Sequence, residues 1–109
     1  MKLVLVCYSG SSARILRDRM LAWARANLLD VEIIVSSLAG LDEDKEDADI
    51  VLVGPQVRCA LASVRERVPE RIPVMAVDTR DYGMAKGDRV MQAALDEIRQ
   101  YKEHKIHME

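Results

Sequence analysis

Residues 3–13 read LVLVCYSGSSA: an apolar run, then a cysteine, then a segment rich in serine, glycine and alanine. A continuous apolar run bounded by small residues is typical of a strand that is buried on both faces. A pattern of helical spacing begins directly afterwards, so Cys7 is expected between a buried strand and the start of a helix. Backbone amides and the helix dipole favour bound anions at such a junction.

Three further apolar runs, rich in β-branched residues, also predict strands. Helical patterns over about residues 12–28, 57–67 and 87–101 alternate with them, while residues 38–49 fit a short helix or a solvated loop. Residues 102–109 show no pattern and are expected to be frayed. The four predicted strands are Leu3–Val6, Val31–Val35, Ile50–Val53 and Val74–Val77.

Strands that alternate with helices predict one α/β domain over residues 1–109, a three-layer αβα sandwich with a four-stranded parallel sheet. In such folds the ligand site lies at the carboxyl ends of the strands. The loops after Val6, Val35, Val53 and Val77 begin at that edge, and the cysteine segment is one of them.

Composition narrows the function classes. The net charge of −2 gives no support for nucleic-acid binding. No apolar run approaches the roughly 18 residues needed to span a bilayer, so direct membrane insertion is not expected. Two cysteines without CxxC spacing or a clustered histidine predict neither a disulfide framework nor a metal site. We expect a cytoplasmic protein with reduced thiols.

Cys7 is the candidate catalytic residue. Gly10 permits close backbone approach, serine hydroxyls add donors without bulk, and the resulting anion-binding loop is expected to lower the pKa of the thiol. A nucleophilic thiolate beside a phosphate-binding loop suggests phosphoryl transfer through phosphocysteine. The alternative for any single cysteine is a buried structural thiol. The predicted phosphate-binding residues are Tyr8, Ser9, Gly10, Ser11, Ser12 and Ala13.

One enzyme class with such a loop comprises low-molecular-weight tyrosine phosphatases and the arsenate reductases that share their fold. These enzymes place an arginine six residues after the cysteine, where this chain has Ala13, and Arg14 lies one position too far along. One position rotates a helical side chain by about 100°. Asp78 or Asp81 could be offered as the general acid that this class needs. Because the arginine is displaced by one position, the phosphatase is the lesser interpretation.

Three segments together carry a better match. They are the Cys7-x-x-Gly10-x-Ser12 loop, residues 51–58 (VLVGPQVR), and IPV at residues 72–74 followed by DTRDYGM at residues 78–84. In this order and at these spacings, the chain resembles the enzyme IIB component of the phosphoenolpyruvate-dependent sugar phosphotransferase system, lactose/cellobiose (chitobiose) type. The resemblance covers nearly the whole chain.

This resemblance implies the strand order 2-1-3-4, with a phosphatase-like cysteine loop after the first strand. It implies that Cys7 accepts a phosphoryl group from a histidine of a IIA component. The phosphoryl group then passes to a sugar held by the membrane component IIC, which brings the protein transiently to the inner face of the membrane. No cofactor is expected, because the group is carried covalently. A non-catalytic regulatory relative with the same fold remains a second alternative.

Several residues outside the loop are candidates for supporting the site or contacting a partner. Arg14 replaces a small or hydroxyl residue that is common in the family, and we expect it to point to solvent. Carboxylates would repel a phosphoryl dianion, so they are not expected as direct ligands. Cys59 is assigned to packing, and Gly83 to a turn with positive φ. The supporting candidates are Arg14, Gln56, Arg58, Asp81 and Tyr82.

Overall fold

In the part of the chain that the structure describes, four strands alternate with helices, as the sequence pattern predicts. The computed structural model describes the backbone of residues 1–8 and 10–108 and the side chains of residues 1–8 and 12–103. The strands are β1 (Lys2–Val6), β2 (Glu32–Ser36), β3 (Ile50–Val53) and β4 (Val74–Ala76). The helices are α1 (Gly10–Ala26), α2 (Leu41–Asp44), α3 (Leu61–Arg67), α4 (Thr79–Gly83) and α5 (Gly87–Met108), with a 3₁₀ segment at Pro55–Ala60.

All strands of the sheet are parallel, and their order is β2-β1-β3-β4. This confirms the order 2-1-3-4 that the family resemblance implied. β1 is hydrogen-bonded on both sides, with Val4 level with Ile34 of β2 and Val51 of β3. The first strand of the chain is therefore central in the sheet, and its last residue opens onto the middle of the carboxyl edge.

The two faces of the sheet build two separate cores, because successive side chains of a strand point to opposite faces. Leu3 and Leu5 belong to the core that also contains Leu16 of α1 and Met91 of α5. The side chains between them belong to the core beneath α2, the 3₁₀ segment and α3. The three-layer αβα prediction is confirmed. Members of the second core include Val4, Val6, Leu41, Val51, Val53, Val57 and Val64.

The structure corrects the expectation for the end of the chain. α5 continues through Met108, whereas residues 102–109 were expected to lack regular structure. Lysine, glutamate and methionine are good helix formers, and neither glycine nor proline interrupts residues 88–108. The absence of an apolar periodicity in this segment therefore did not indicate the absence of a helix.

The segment between β3 and α3 also differs from its prediction. A continuous helix was expected over residues 57–67, but Pro55–Ala60 is 3₁₀ and Val57 departs from helical geometry with φ −115° and ψ 18°. The 3₁₀ helix has three residues per turn, so side chains three apart lie one above the other. Val57 is buried and Ala60 is half-buried on this spacing. The residues between them face outward.

Gly87, at the start of α5, makes the closest contact of the described glycines, and this contact is with the backbone of α1. A Cβ at this position would lie 2.4 Å from the carbonyl carbon of Arg19 and 2.5 Å from the amide nitrogen of Met20. Only the absence of a side chain permits this contact between backbones. Gly83, by contrast, would meet nothing within 4 Å, and none of the described glycines has positive φ. The positive φ expected at Gly83 is wrong; Ala85 adopts it instead, at 51°.

Replacing Gly87 by alanine should destabilise the fold, because the new Cβ forces α1 away from α5. We expect the Gly87→Ala substitution to lower the free energy of unfolding by about 1–3 kcal/mol in urea denaturation. Gly83→Ala is the matched control and should leave that free energy unchanged, or raise it by up to about 1 kcal/mol. Equal stability of the two variants would contradict the close approach.

Candidate functional site

The sheet's hydrogen-bond ladder continues one residue past the strands at its carboxyl edge. The amide of Cys7 donates to the carbonyl of Ser36 over 3.0 Å, and that of Gly54 donates to Val6 over 2.9 Å. The amide of Val77 donates to Val53, also over 2.9 Å. The loops after β1, β3 and β4 therefore start in register along one edge, which is where α/β sheets bind ligands.

Cys7 lies at the boundary of the core at this edge. It is 4% exposed and belongs to the core that contains Leu5, Ala13 and Tyr82. Tyr8, the next residue, is 72% exposed. The chain thus passes from core to solvent within one residue, and the thiol lies at that boundary. Of the remaining predicted loop residues, Ser9 and the side chains of Gly10 and Ser11 lie outside the described part of the chain.

Burial raises the pKa of the Cys7 thiol above its ordinary value. A low-dielectric environment disfavours the charged thiolate, so desolvation acts against the effect of the anion-binding loop. The lowered thiol pKa expected from the sequence is therefore wrong for the described environment.

The first turn of α1 places its side chains on opposite sides. Ala13 is fully buried in the core with Cys7, while Arg14 is exposed, as expected. The position at which a phosphatase carries its arginine is thus occupied by a methyl group packed into the core. Ser12 faces the edge, and its hydroxyl oxygen lies 3.4 Å from that of Tyr82.

The 3₁₀ segment brings Gln56 to the site and leaves Arg58 at the surface. A Cβ on Gly54 would lie 3.2 Å from both the Val6 carbonyl oxygen and Oε1 of Gln56, so the Gln56 amide lies beside the end of β1. Arg58 and Cys59 are exposed. Cys59 was assigned to packing, and this assignment is wrong, because the 3₁₀ spacing turns Val57 inward and leaves Cys59 at the surface.

α4 carries Tyr82 beneath the same edge. Asp78 caps this helix, since its carboxylate accepts hydrogen bonds from the amides of Arg80 and Asp81, each over 3.0 Å. Asp81 forms an ion pair of 3.1 Å with Nε of Arg89 on α5. Its negative charge is thereby neutralised by a residue of this chain. Tyr82 itself is buried, at 5% exposure.

Two of these contacts were not predictable from the sequence. The Asp81–Arg89 ion pair joins residues eight apart across a turn, and no motif marks it. The Ser12–Tyr82 contact joins residues 70 apart in sequence. Both residues were candidates, but their proximity depends on how α4 folds back on the edge. The sequence signal for this packing was Gly54, because a glycine next to a strand marks a place where other groups approach the backbone closely.

Neither a membrane span nor a metal cluster is found within the described part of the chain. None of its helices combines the length and apolarity needed to cross a bilayer. No group of three or more histidine, cysteine, aspartate or glutamate side chains is arranged there to hold a metal ion. The described edge instead offers a thiol, hydroxyls and an amide.

A four-stranded parallel sheet with a thiol at the carboxyl end of its central strand, directly before a helix, defines a small α/β domain with its site at that edge. Solved structures with this fold include two IIB proteins. A cellobiose-specific phosphotransferase IIB component from Borrelia burgdorferi superposes with a TM-score of 0.77, at 28% identity over 93% of this chain and 94% of that one. The lactose-specific IIB domain from Streptococcus pneumoniae gives 0.74, at 17% identity over 89% and 96%.

The family described as "PTS system, Lactose/Cellobiose specific IIB subunit" matches residues 2–93. Sequence relatives include the galactose-specific EIIB component of Lactococcus lactis subsp. cremoris, 32% identical over 84% of this chain and 91% of the relative. Another is the oligo-beta-mannoside-specific EIIB component of Bacillus subtilis, 32% identical over 86% and 92%. The chain belongs to this family: it is a IIB component, a phosphocarrier in sugar uptake. The resemblance seen in the sequence is confirmed, and the phosphocarrier is favoured over the phosphatase and the regulatory relative.

The raised pKa of Cys7 has a direct test in alkylation kinetics. Because burial favours the neutral thiol, we expect the rate of Cys7 alkylation by iodoacetamide to keep rising beyond about pH 8.5. The Cys59→Ser variant isolates Cys7 for this measurement by mass spectrometry. Cys7→Ser isolates the exposed Cys59, which should react faster at every pH. A plateau for Cys7 below about pH 7.5 would contradict the assignment and restore a lowered thiol pKa.

Proposed function

We propose that Cys7 is the residue of this IIB component that carries the phosphoryl group, as a phosphocysteine. The observation that supports this most is its position: a thiol at the end of central strand β1, directly before α1, at the edge where the loops after β3 and β4 also begin. Cys59, the other thiol, lies on the outer side of the 3₁₀ segment. Only Cys7 combines a site at the carboxyl edge with a following helix.

The proposed donor is a phosphohistidine of a IIA component, and the proposed acceptor is a sugar held by a membrane IIC component. In the first step an Sγ–P bond forms and the P–N bond breaks, and the thiol proton passes to the departing imidazole nitrogen. In the second step a sugar oxygen attacks phosphorus, the S–P bond breaks, and the hydroxyl proton returns to sulfur. Burial supports this cycle because it raises the pKa of the Cys7 thiol and so favours the protonated form that gives its proton to the imidazole.

The loop after Cys7 is proposed to hold the phosphoryl group mainly with backbone amides at the start of α1. Ala13 contributes an amide at most, since its side chain is buried in the core. Ser12 adds a hydroxyl at the edge. No cofactor or metal is proposed, because the group is carried covalently. The exposed Tyr8 and Arg14 beside the loop are available to a partner, and we place the protein in the cytoplasm, where IIA and the inner face of IIC are accessible.

Phosphorylation can be followed directly. Incubation with phosphoenolpyruvate, enzyme I, HPr and a cognate IIA should add the mass of one phosphoryl group to the intact protein. We expect Cys7→Ser to abolish this gain and Cys59→Ser to retain it. Loss of labelling in Cys59→Ser alone would move the phosphoryl acceptor away from Cys7.

The phosphatase alternative makes a different prediction. Hydrolysis of p-nitrophenyl phosphate at neutral pH should be no faster with the wild-type protein than with Cys7→Ser. The reason is that position 13 carries a buried methyl group where a phosphatase needs an arginine, and Arg14 is exposed. Multiple turnovers that disappear in Cys7→Ser would instead establish a hydrolase.

A further inference from the structure

A pair of hydroxyl groups joins α1 to α4, and its tyrosine belongs to the same core as Cys7. The Oγ of Ser12, in the first turn of α1, lies 3.4 Å from the phenolic oxygen of Tyr82. Ser12 is exposed, whereas Tyr82 is buried in the core that contains Cys7. The pair therefore lies at the boundary between the core and the space above the carboxyl edge.

Three interactions fix the positions of α4 and of the Tyr82 ring. Its amide donates to the Asp78 carbonyl over 2.9 Å, within a helix that the Asp78 carboxylate caps. The next carboxylate, Asp81, is tied to Arg89 of α5. On the other side the ring lies against Gly54, where a Cβ would come within 3.4 Å of Cε2. The phenol has little freedom to leave Ser12.

We propose that Tyr82 is a positioning residue for phosphate binding: its hydroxyl donates to Ser12 Oγ, so that the Ser12 proton points to the phosphoryl group at Cys7. This rests on the proposed function of Cys7. A hydroxyl has one proton to donate and two lone pairs to accept with, and a phosphoryl dianion only accepts. Ser12 can donate a hydrogen bond to the dianion only if its proton points away from Tyr82. The Tyr82 hydroxyl then donates to a lone pair of Ser12 Oγ.

The proposal predicts that the length of this contact changes when phosphate binds. Two hydroxyl oxygens usually lie about 2.7–2.8 Å apart when hydrogen-bonded, so 3.4 Å is long. A hydroxyl that donates to an anion becomes a better acceptor, because hydrogen bonds in a chain polarise one another. The Tyr82–Ser12 bond should therefore shorten when phosphate is bound, as contacts in unliganded sites commonly do.

A purely structural tyrosine makes a different prediction. In that case Tyr82 fills the core and uses Ser12 as the nearest acceptor, and loss of its hydroxyl would change stability without changing phosphate binding. Tyr101 offers the matched control. Its hydroxyl donates to the carbonyl of Glu70, beyond the opposite, amino edge of the sheet, so Tyr101→Phe removes a comparable group far from Cys7.

The test measures binding of inorganic phosphate by nuclear magnetic resonance titration of the unphosphorylated protein. Tyr82→Phe and Ser12→Ala should each weaken phosphate affinity about three- to tenfold. The double variant should be no weaker than either single variant, within about twofold, because both remove the same oriented donor. Tyr101→Phe should bind like wild type. Melting temperatures and amide spectra of every variant identify any loss of fold.

A second measurement uses the phosphorylated protein. Phosphorus resonance gives the second pKa of phosphocysteine, which should rise by the same amount in Tyr82→Phe and Ser12→Ala, since both lose a donor to the dianion. Wild-type affinity in Tyr82→Phe, or additive losses in the double variant, would overturn the inference. Wild type that binds phosphate but accepts no phosphoryl group from IIA would instead refute the proposed function alone. Wild type that does neither would refute both.

Discussion

The central placement of β1 is the constraint on which the rest of this molecule depends. Its side chains alternate between the two cores, and its backbone is hydrogen-bonded to β2 and β3. A strand saturated in this way has no freedom to slip, because a shift by one residue would exchange the two apolar faces and their partners. Cys7 directly follows β1, so the same register fixes its place at the edge of the sheet. The position of the Cys7 thiol is therefore set by strand packing and not by contacts within the loop.

The same register also accounts for the side chains found at the position where a phosphatase would carry its arginine. A helix that begins just after the thiol has one side facing the core and another facing solvent. Ala13 falls on the core side, where an arginine would bury a charge without a partner. Arg14 falls on the solvent side. The chain retains the amide-rich start of the helix and lacks the cation that a hydrolase would use. A phosphoryl relay needs the first feature and not the second.

The strands, the three layers and the position of Cys7 were predictable from the sequence because each depends on local apolar patterns. β3 was predicted at its observed bounds, Ile50–Val53. The strand order required the family resemblance. The 3₁₀ segment was not predictable, because Gly54-Pro55 is compatible with an α-helix as well, and the exposure of Cys59 depends on that difference. The Ser12–Tyr82 contact and the raised pKa of Cys7 arise from tertiary packing, which no short motif encodes.

The glycine contact between α1 and α5 also limits how the molecule can respond to phosphorylation. Backbone atoms of Arg19 and Met20 rest directly against Gly87. The start of α1 lies about 14 Å away along the helix axis, at 1.5 Å per residue. A helix held this closely at its middle cannot translate as a body without breaking the contact. A rearrangement confined to the first turn of α1 and to α4 leaves this contact intact, whereas a displacement of the whole of α1 would have to carry α5 with it.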